Sequence, residues 1–252
     1  MTDERLKINK HTWDVVAADF FGGTALPNWG GFDVEKDNPN LIGEIKDKIF
    51  FEICCGSGHS IDFLIKNGAK HVYALDFSHS QIEFAKDINR KAIEAGKVTL
   101  FEQSMETSAP LAEPVDTVFS VYGIGWTVDP DLVFKNVNSY LKPEGKFVWS
   151  WEHPLYRKAK YQNGQIVITK SYHDESLIQA KSLGTEEVFH LTVRKISTWY
   201  NALVRNGFEV VQMLEPEPVD IKDSHRDPTK YYSVPKAELV PATIIFDCRK
   251  VS

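Results

Sequence analysis

The sequence predicts an α/β fold built on a doubly wound, largely parallel sheet, and three observations carry that prediction. The run Phe51-Glu52-Ile53-Cys54-Cys55-Gly56-Ser57-Gly58-His59 places an acid at the end of an apolar strand and two glycines in the turn before a helix. A second apolar run, His71 to Leu75, also ends in an acid, Asp76. Beyond them, strand-like and helix-like segments alternate as far as Trp151, the pattern of a parallel sheet with helices on both faces. The first two runs make one nucleotide-binding βαβ unit. Its glycine turn lets a ligand approach bare backbone, and its second acid is placed to accept both ribose hydroxyls.

The remaining elements follow in order. Ser78 with Gln81 is a capping-box signature opening a helix whose apolar positions are Ile82, Ala85, Ile88 and Ile93. Lys97 to Gln103 reads as a third strand and Val115 to Val121 as a fourth. Asp129-Pro130 supplies an N-cap and a first-turn proline for a helix through Leu132, Val133, Val137 and Leu141. A turn at 141–145 then leads into a fifth strand, Lys146 to Trp151. Residues 155–187 are polar and rich in Lys and Tyr, with Asn163-Gly164 as a hairpin turn before the strand-like Gln165 to Lys170. Ser197 to Asn206 is an amphipathic helix stopped by Gly207, and Phe208 to Leu214 and Ala242 to Cys248 are the last strands. The connection between them, with prolines at 216, 218, 228, 235 and 241, is long enough to be a functional cover or a disordered segment. Near the start, Lys10 to Phe21 is helix-like, with Trp13, Val16, Ala17 and Phe20 on one face.

Two nucleotide ligands compete for the glycine turn. A dinucleotide fingerprint needs a third small residue, and here that position falls on Ile61, which is large and β-branched. A phosphate-loop NTPase is excluded because the chain contains no G-x-x-x-x-G-K-[ST]. The pattern E-x-x-x-G-x-G at Glu52 to Gly58 instead resembles motif I of the class I S-adenosylmethionine-dependent methyltransferases, in particular the small-molecule, methyltransferase type 11-like group. Ala74-Leu75-Asp76-Phe77-Ser78 resembles that family's second motif, and the turn and strand at 141–151 its fifth strand. The likeness spans residues 45 to 154.

That resemblance implies a Rossmann-like seven-stranded sheet, mostly parallel, closed by a C-terminal antiparallel hairpin. One methyltransferase domain would occupy 1–252, with an N-terminal helical cover at 1–40 and a cap insertion at 155–190 after the fifth strand. S-adenosylmethionine would be the cofactor, leaving as S-adenosylhomocysteine. The backbone at Cys54, Gly56 and Gly58 would lie against its methionine and ribose part, and Glu52 would hold the methionine ammonium. Asp76 would take the ribose hydroxyls, with charge-assisted bonds of about 1.5–3 kcal/mol each. Phe77 would flank the adenine, and Gln81, Val121, Tyr122 and Trp13 would complete the cofactor site. Where the family carries an acid that reads the adenine amino group, this chain has Ser104 followed by Met105. Cys54 stands where the family has its first glycine, implying a tighter turn.

On the acceptor side, functional crevices of open α/β sheets lie beyond the carboxyl ends of the strands. That edge carries Tyr122 to Trp126 after the fourth strand and His153 after the fifth. His153 is the candidate catalytic base, since an oxygen or amine acceptor must lose a proton. Its structural alternative is a histidine tying the insertion to the sheet end. Trp126, Tyr122, His153 and Trp29 are the candidate acceptor contacts. Trp13 and Phe20 have a packing role as their alternative. His173, His190 and His225 are further acceptor contacts in principle, and no metal-ligand spacing joins them. No metal site is expected at Cys54-Cys55.

Composition narrows the function class. The net charge of −6 argues against a broad nucleic-acid surface. No apolar run approaches the ~20 residues of a membrane span, and no hydrophobic leader precedes the first helix, so a cytoplasmic protein is expected. The leading expectation is methyl transfer to an O, N or C atom of a small-molecule acceptor. The alternatives are a catalytically silent binder with the same fold, or a methyltransferase acting on transfer RNA or protein. Oligomeric state and acceptor identity are not written in any motif.

Overall fold

A computed structural model describes residues 4–32, 41–181, 185–219 and 225–251. Parts of three expected features therefore lie outside the described residues: 33–40 of the N-terminal cover, 182–184 of the insertion and 220–224 of the long connection. The chain opens with α1 (Glu4–Val16), continued by a 3-10 turn at Ala17–Phe20. One half of the central sheet comes from β1 (Ile49–Ile53), α2 (His59–Lys66), β2 (His71–Asp76), α3 (His79–Ile88), α4 (Arg90–Glu94) and β3 (Val98–Glu102). The other half comes from β4 (Val115–Val121), α5 (Pro130–Tyr140) and β5 (Leu141–Glu152). An insertion follows, with α6 (Pro154–Lys158) and the hairpins β6 (Ala159–Gln162) with β7 (Gln165–Ile168) and β8 (Leu177–Lys181) with β9 (Val188–Thr192). Finally α7 (Ile196–Arg205), β10 (Phe208–Leu214), α8 (Val234–Ala237) and β11 (Thr243–Lys250) complete the molecule.

Seven strands form one sheet in the order β10-β11-β5-β4-β1-β2-β3. The strands from β5 to β3 are mutually parallel, and β11 runs antiparallel to both β5 and β10. The sheet is thus the Rossmann-like one expected, with its reversal of strand order between β1 and β4. At such a point the crossovers leave in opposite directions and open a crevice at the carboxyl ends. Strand β1 is buried along its whole length because helices cover both faces. Phe51 and Ile53 join the core with Phe134, Trp149 and Trp199, while Phe50 joins the opposite core with Ile61, Phe119 and Trp29.

Local signals explain most boundaries. Ser78 caps α3 by accepting the Gln81 N–H, and Asp129 caps α5 by accepting the Leu132 N–H. Asn163 and Gly164 both take positive φ, as a two-residue hairpin turn requires. The helix expected through Ile93 breaks in two at Asn89. That side chain is buried and donates to the carbonyls of Gly58 and Ala85, both at 3.0 Å, so it serves the glycine turn and not a continuous helix. The first helix starts earlier than its apolar face suggests, and β5 begins at Leu141, absorbing the expected turn with Glu144 at φ 60°.

Candidate functional site

The glycine turn and the acid after β2 meet at the carboxyl edge of the sheet. Cys54, Gly56 and Gly58 all adopt left-handed backbone, at φ 59°, 50° and 79°. For a cysteine that conformation is strained, and such strain concentrates at functional sites. The two glycines do different work. A Cβ on Gly58 would sit 2.9 Å from Cα of Ala85, so this glycine lets α2 and α3 approach closely. At Gly56 the one heavy atom of the described residues, its chain neighbours aside, within 4 Å of a Cβ is Oε1 of Gln81, so its bare backbone faces open space.

Asp76 is buried behind this turn. One carboxylate oxygen accepts the Gly56 N–H at 3.0 Å and the other accepts the Ser78 N–H at 2.9 Å. Burial outweighs these bonds and pushes its pKa up to about 6. Each oxygen retains a further lone pair for a ligand hydroxyl. Beside it, Oε1 of Gln81 is buried and has no hydrogen-bond partner among the described residues. Asp76 and Gln81 line a cleft of about 90 Å³ together with Leu75, Phe77, Met105 and Val121.

The N-terminal segment closes the cleft by specific bonds. Asp14 in α1 accepts the Ser78 hydroxyl at 2.7 Å, and Asn9 exchanges two hydrogen bonds with the backbone of His190 in β9. Ser57 accepts the Gly22 N–H and Ser60 accepts the Leu26 N–H, which holds 20–26 over the turn. Trp13, Phe20, Thr24, Tyr122 and Trp126 line both this cleft and a second, larger chamber of about 500 Å³. Trp13 packs on Trp126 and Phe189 with ring centroids 5.6 and 5.1 Å apart. Tyr122 directly follows β4, at φ 54°, and shares a hydrogen bond of 2.5 Å with the Thr243 hydroxyl. The turn after it needs glycine twice over. A Cβ on Gly123 would lie 2.5 Å from Cβ of Cys54, and one on Gly125 only 1.8 Å from the Trp151 indole.

Residues 50–145 match the family model for a methyltransferase domain. An S-adenosylmethionine-dependent methyltransferase of Mesorhizobium loti superposes with a TM-score of 0.67 at 24% identity, covering 83% of this chain and 94% of that one. Residues 50–145 are thus a methyltransferase domain, on the fold of S-adenosylmethionine-dependent methyltransferases. An uncharacterized protein of Haemophilus influenzae is 24% identical over 216 residues, which are 79% of this chain and 85% of the relative. Protein arginine N-methyltransferase 1 of Schizosaccharomyces pombe is 30% identical over 119 residues, but these are 45% of this chain and 33% of that protein. Among the described residues no helix is long and apolar enough to cross a membrane.

The structure brings Cys54, Gly56, Asp76, Phe77, Gln81, Ser104, Met105, Val121, Tyr122 and Trp13 to the cleft wall. Trp126 joins them and also faces the chamber. Four expected site residues stand elsewhere, each for a visible reason. Glu52 lines neither cavity; it is 2% exposed on the α2 side of β1 beside Ser60, and burial pushes its carboxyl well above the usual range. Gly58 packs helices together. Trp29 is core, edge-on to Phe119. His153 is 4% exposed and caps α6: its Nδ1 accepts the Leu155 N–H at 3.1 Å and its Nε2 lies 2.9 Å from Glu215. The structural alternative for His153 is the arrangement found, since neither cavity reaches it.

Other lining residues carry no motif. Glu106 and His59 face the cleft. Two residues after Ser104 stands Glu106, which accepts the Thr127 hydroxyl and the Val128 N–H, both at 2.9 Å. Glu152, Arg157, His225, Tyr231 and Tyr232 face the chamber. Glu152 ends the fifth strand one residue before His153, and the pleat turns the two side chains opposite ways.

Proposed function

We propose that this chain is an S-adenosylmethionine-dependent methyltransferase that moves a methyl group to an O, N or C atom of a small-molecule acceptor. The observation that carries the reading is the shared wall: a cleft ending on a buried acid and bare glycine backbone abuts an aromatic chamber through Trp13, Tyr122 and Trp126. Cofactor and acceptor would meet there. The unpartnered Gln81 oxygen and the spare lone pairs of Asp76 fit a ligand rich in hydroxyl and amino donors. The apolar faces of Leu75, Phe77 and Met105 fit a purine.

When bound, the sulfonium supplies a methyl group already activated for displacement. The protein's own share is then orientation and exclusion of water. Asp76 would fix the ribose and Gly56 would offer its backbone to the methionine side. Tyr122, held by Thr243, and Trp126 would set the approach of the acceptor. We include in the proposal that α1 with residues 17–32 and the insertion after β5 act as covers, since both contribute to the chamber wall. A chamber of this size suits a small molecule and supports that reading over a polypeptide or transfer-RNA acceptor.

The test is to incubate purified protein with S-adenosylmethionine and fractionated metabolite extract, and to follow S-adenosylhomocysteine by mass spectrometry. Product above the no-extract control in at least one fraction is expected. Cofactor binding without turnover in any fraction would favour the silent-binder alternative, and no binding at all would defeat the reading.

A further inference from the structure

Part of the chamber wall is built from charged groups that do not line the cleft. Glu152 is buried, and one of its oxygens accepts the hydroxyls of Tyr231 and Tyr232 at 2.7 and 2.9 Å. Its other oxygen accepts Nε–H of Arg157. That guanidinium also lies over the Tyr231 ring, 4.9 Å from its centroid. Nε is the guanidinium nitrogen that hydrogen-bonds among the described residues, so the two terminal nitrogens keep their donors for something else. Arg157 itself lines the chamber. Behind it, Lys236 is buried with Nζ 3.7 Å from the Tyr156 ring centroid and 4.7 Å from that of Tyr231. Among the described residues two cations thus stand against one carboxylate here, with burial lowering the pKa of Lys236 to about 8.

Trp126, Trp151, Phe189 and Leu191 give the chamber a broad, flat apolar wall, and Lys181 and His225 are its other basic lining residues. Aromatic walls alone would equally suit a cationic ligand. A cationic end, however, would meet the free face of Arg157, whereas a carboxylate would receive two parallel N–H bonds from it. Glu152 is poorly suited to hold a cation because Arg157 and two phenols already occupy three of its four lone pairs, and Arg157 neutralises its charge. We infer that the acceptor is an aryl acid, a flat apolar body ending in a carboxylate, with that carboxylate docked on the terminal nitrogens of Arg157. This rests on the chamber being the acceptor site, as proposed above, and adds the chemical class of what enters it.

The experiment is calorimetry on the full chain with two acids, indole-3-acetate and benzoate, and with their neutral amides, each with and without S-adenosylhomocysteine. At least one acid should bind the wild-type protein tenfold or more tighter than its amide. Arg157→Met should bring the acid down to the affinity of the amide and leave the amide unchanged. Because that variant strands the buried Glu152 charge, the double variant Arg157→Met with Glu152→Gln guards against misfolding and should behave the same way. Equal binding of acid and amide to wild type, no binding of either acid at millimolar concentration, or an acid preference that survives in the folded double variant would overturn the inference. Acid preference without S-adenosylhomocysteine binding would sink the cofactor reading alone. S-adenosylhomocysteine binding without acid preference would sink this one alone.

Discussion

The carboxylate of Asp76 accepts the backbone N–H of Gly56 at 3.0 Å, joining the end of one strand to the turn after its neighbour. This bond fixes the glycine turn against the acid before any ligand arrives. It also explains why the acid is buried yet still able to serve, since each oxygen spends one lone pair on backbone and keeps another.

Protonation of Asp76 should make cofactor affinity depend on pH. Burial holds its pKa at about 6 in the ligand-free protein, above the ordinary carboxylate value of 3.8. The folded chain therefore keeps a proton here that the unfolded chain has released, and this group costs stability as pH rises from about 4 to 6. A ligand donating to the charged carboxylate has the opposite preference. Calorimetric affinity for S-adenosylmethionine should be flat above pH 7 and fall as pH drops through 6. A flat profile from pH 5 to 8 would contradict the contact.

The turn after β4 should tolerate no side chain at position 125. Gly125→Ala would drive a methyl into the Trp151 indole, at a cost of about 1–3 kcal/mol. Thermal unfolding should show a clear drop in Tm, and Trp151→Leu in the same chain should recover part of it. A Gly125→Ala protein as stable as wild type would contradict the packing.

Glu52→Gln separates a buried strand-end acid from a cofactor ligand. The carboxyl is buried, and its Oε2 has no hydrogen-bond partner among the described residues, so ionising it in the folded state is unfavourable. The substitution should raise Tm at pH 8 and change S-adenosylmethionine affinity less than twofold. A tenfold loss of affinity would return Glu52 to the cofactor site.

His153→Ala should weaken the fold and spare the cleft. Nδ1 accepts a backbone N–H, so Nε2 carries the proton toward Glu215, and burial keeps the ring's pKa lowered. Losing the cap and the Glu215 bond should cost about 1–2 kcal/mol in denaturant unfolding, with cofactor affinity unchanged. Unchanged stability with weakened ligand binding would reverse this assignment.

The cleft was legible in the sequence because its parts are local: Cys54 to Gly58 is one turn, and Asp76 follows one helix and one strand later. The sheet followed from the same alternation. The chamber was not legible, because its wall gathers Trp13, Trp151, Phe189 and Tyr231 from four distant segments and no spacing rule joins them. His153 shows the limit of the strand-end rule. That rule finds the right edge, but the cap of α6 and the pleat decide which of Glu152 and His153 looks inward. For Trp29, an aromatic in a loop before β1 gives no sign of whether it faces ligand or core. Glu106, in the cleft wall, lies in a loop whose course no motif fixes.

If Asp76 and the bare turn at Gly56 hold S-adenosylmethionine, calorimetry on Asp76→Ala will show it. The variant should fold and lose affinity tenfold or more, about 1.4 kcal/mol. A folded Asp76→Ala protein that binds S-adenosylmethionine as tightly as wild type would contradict it.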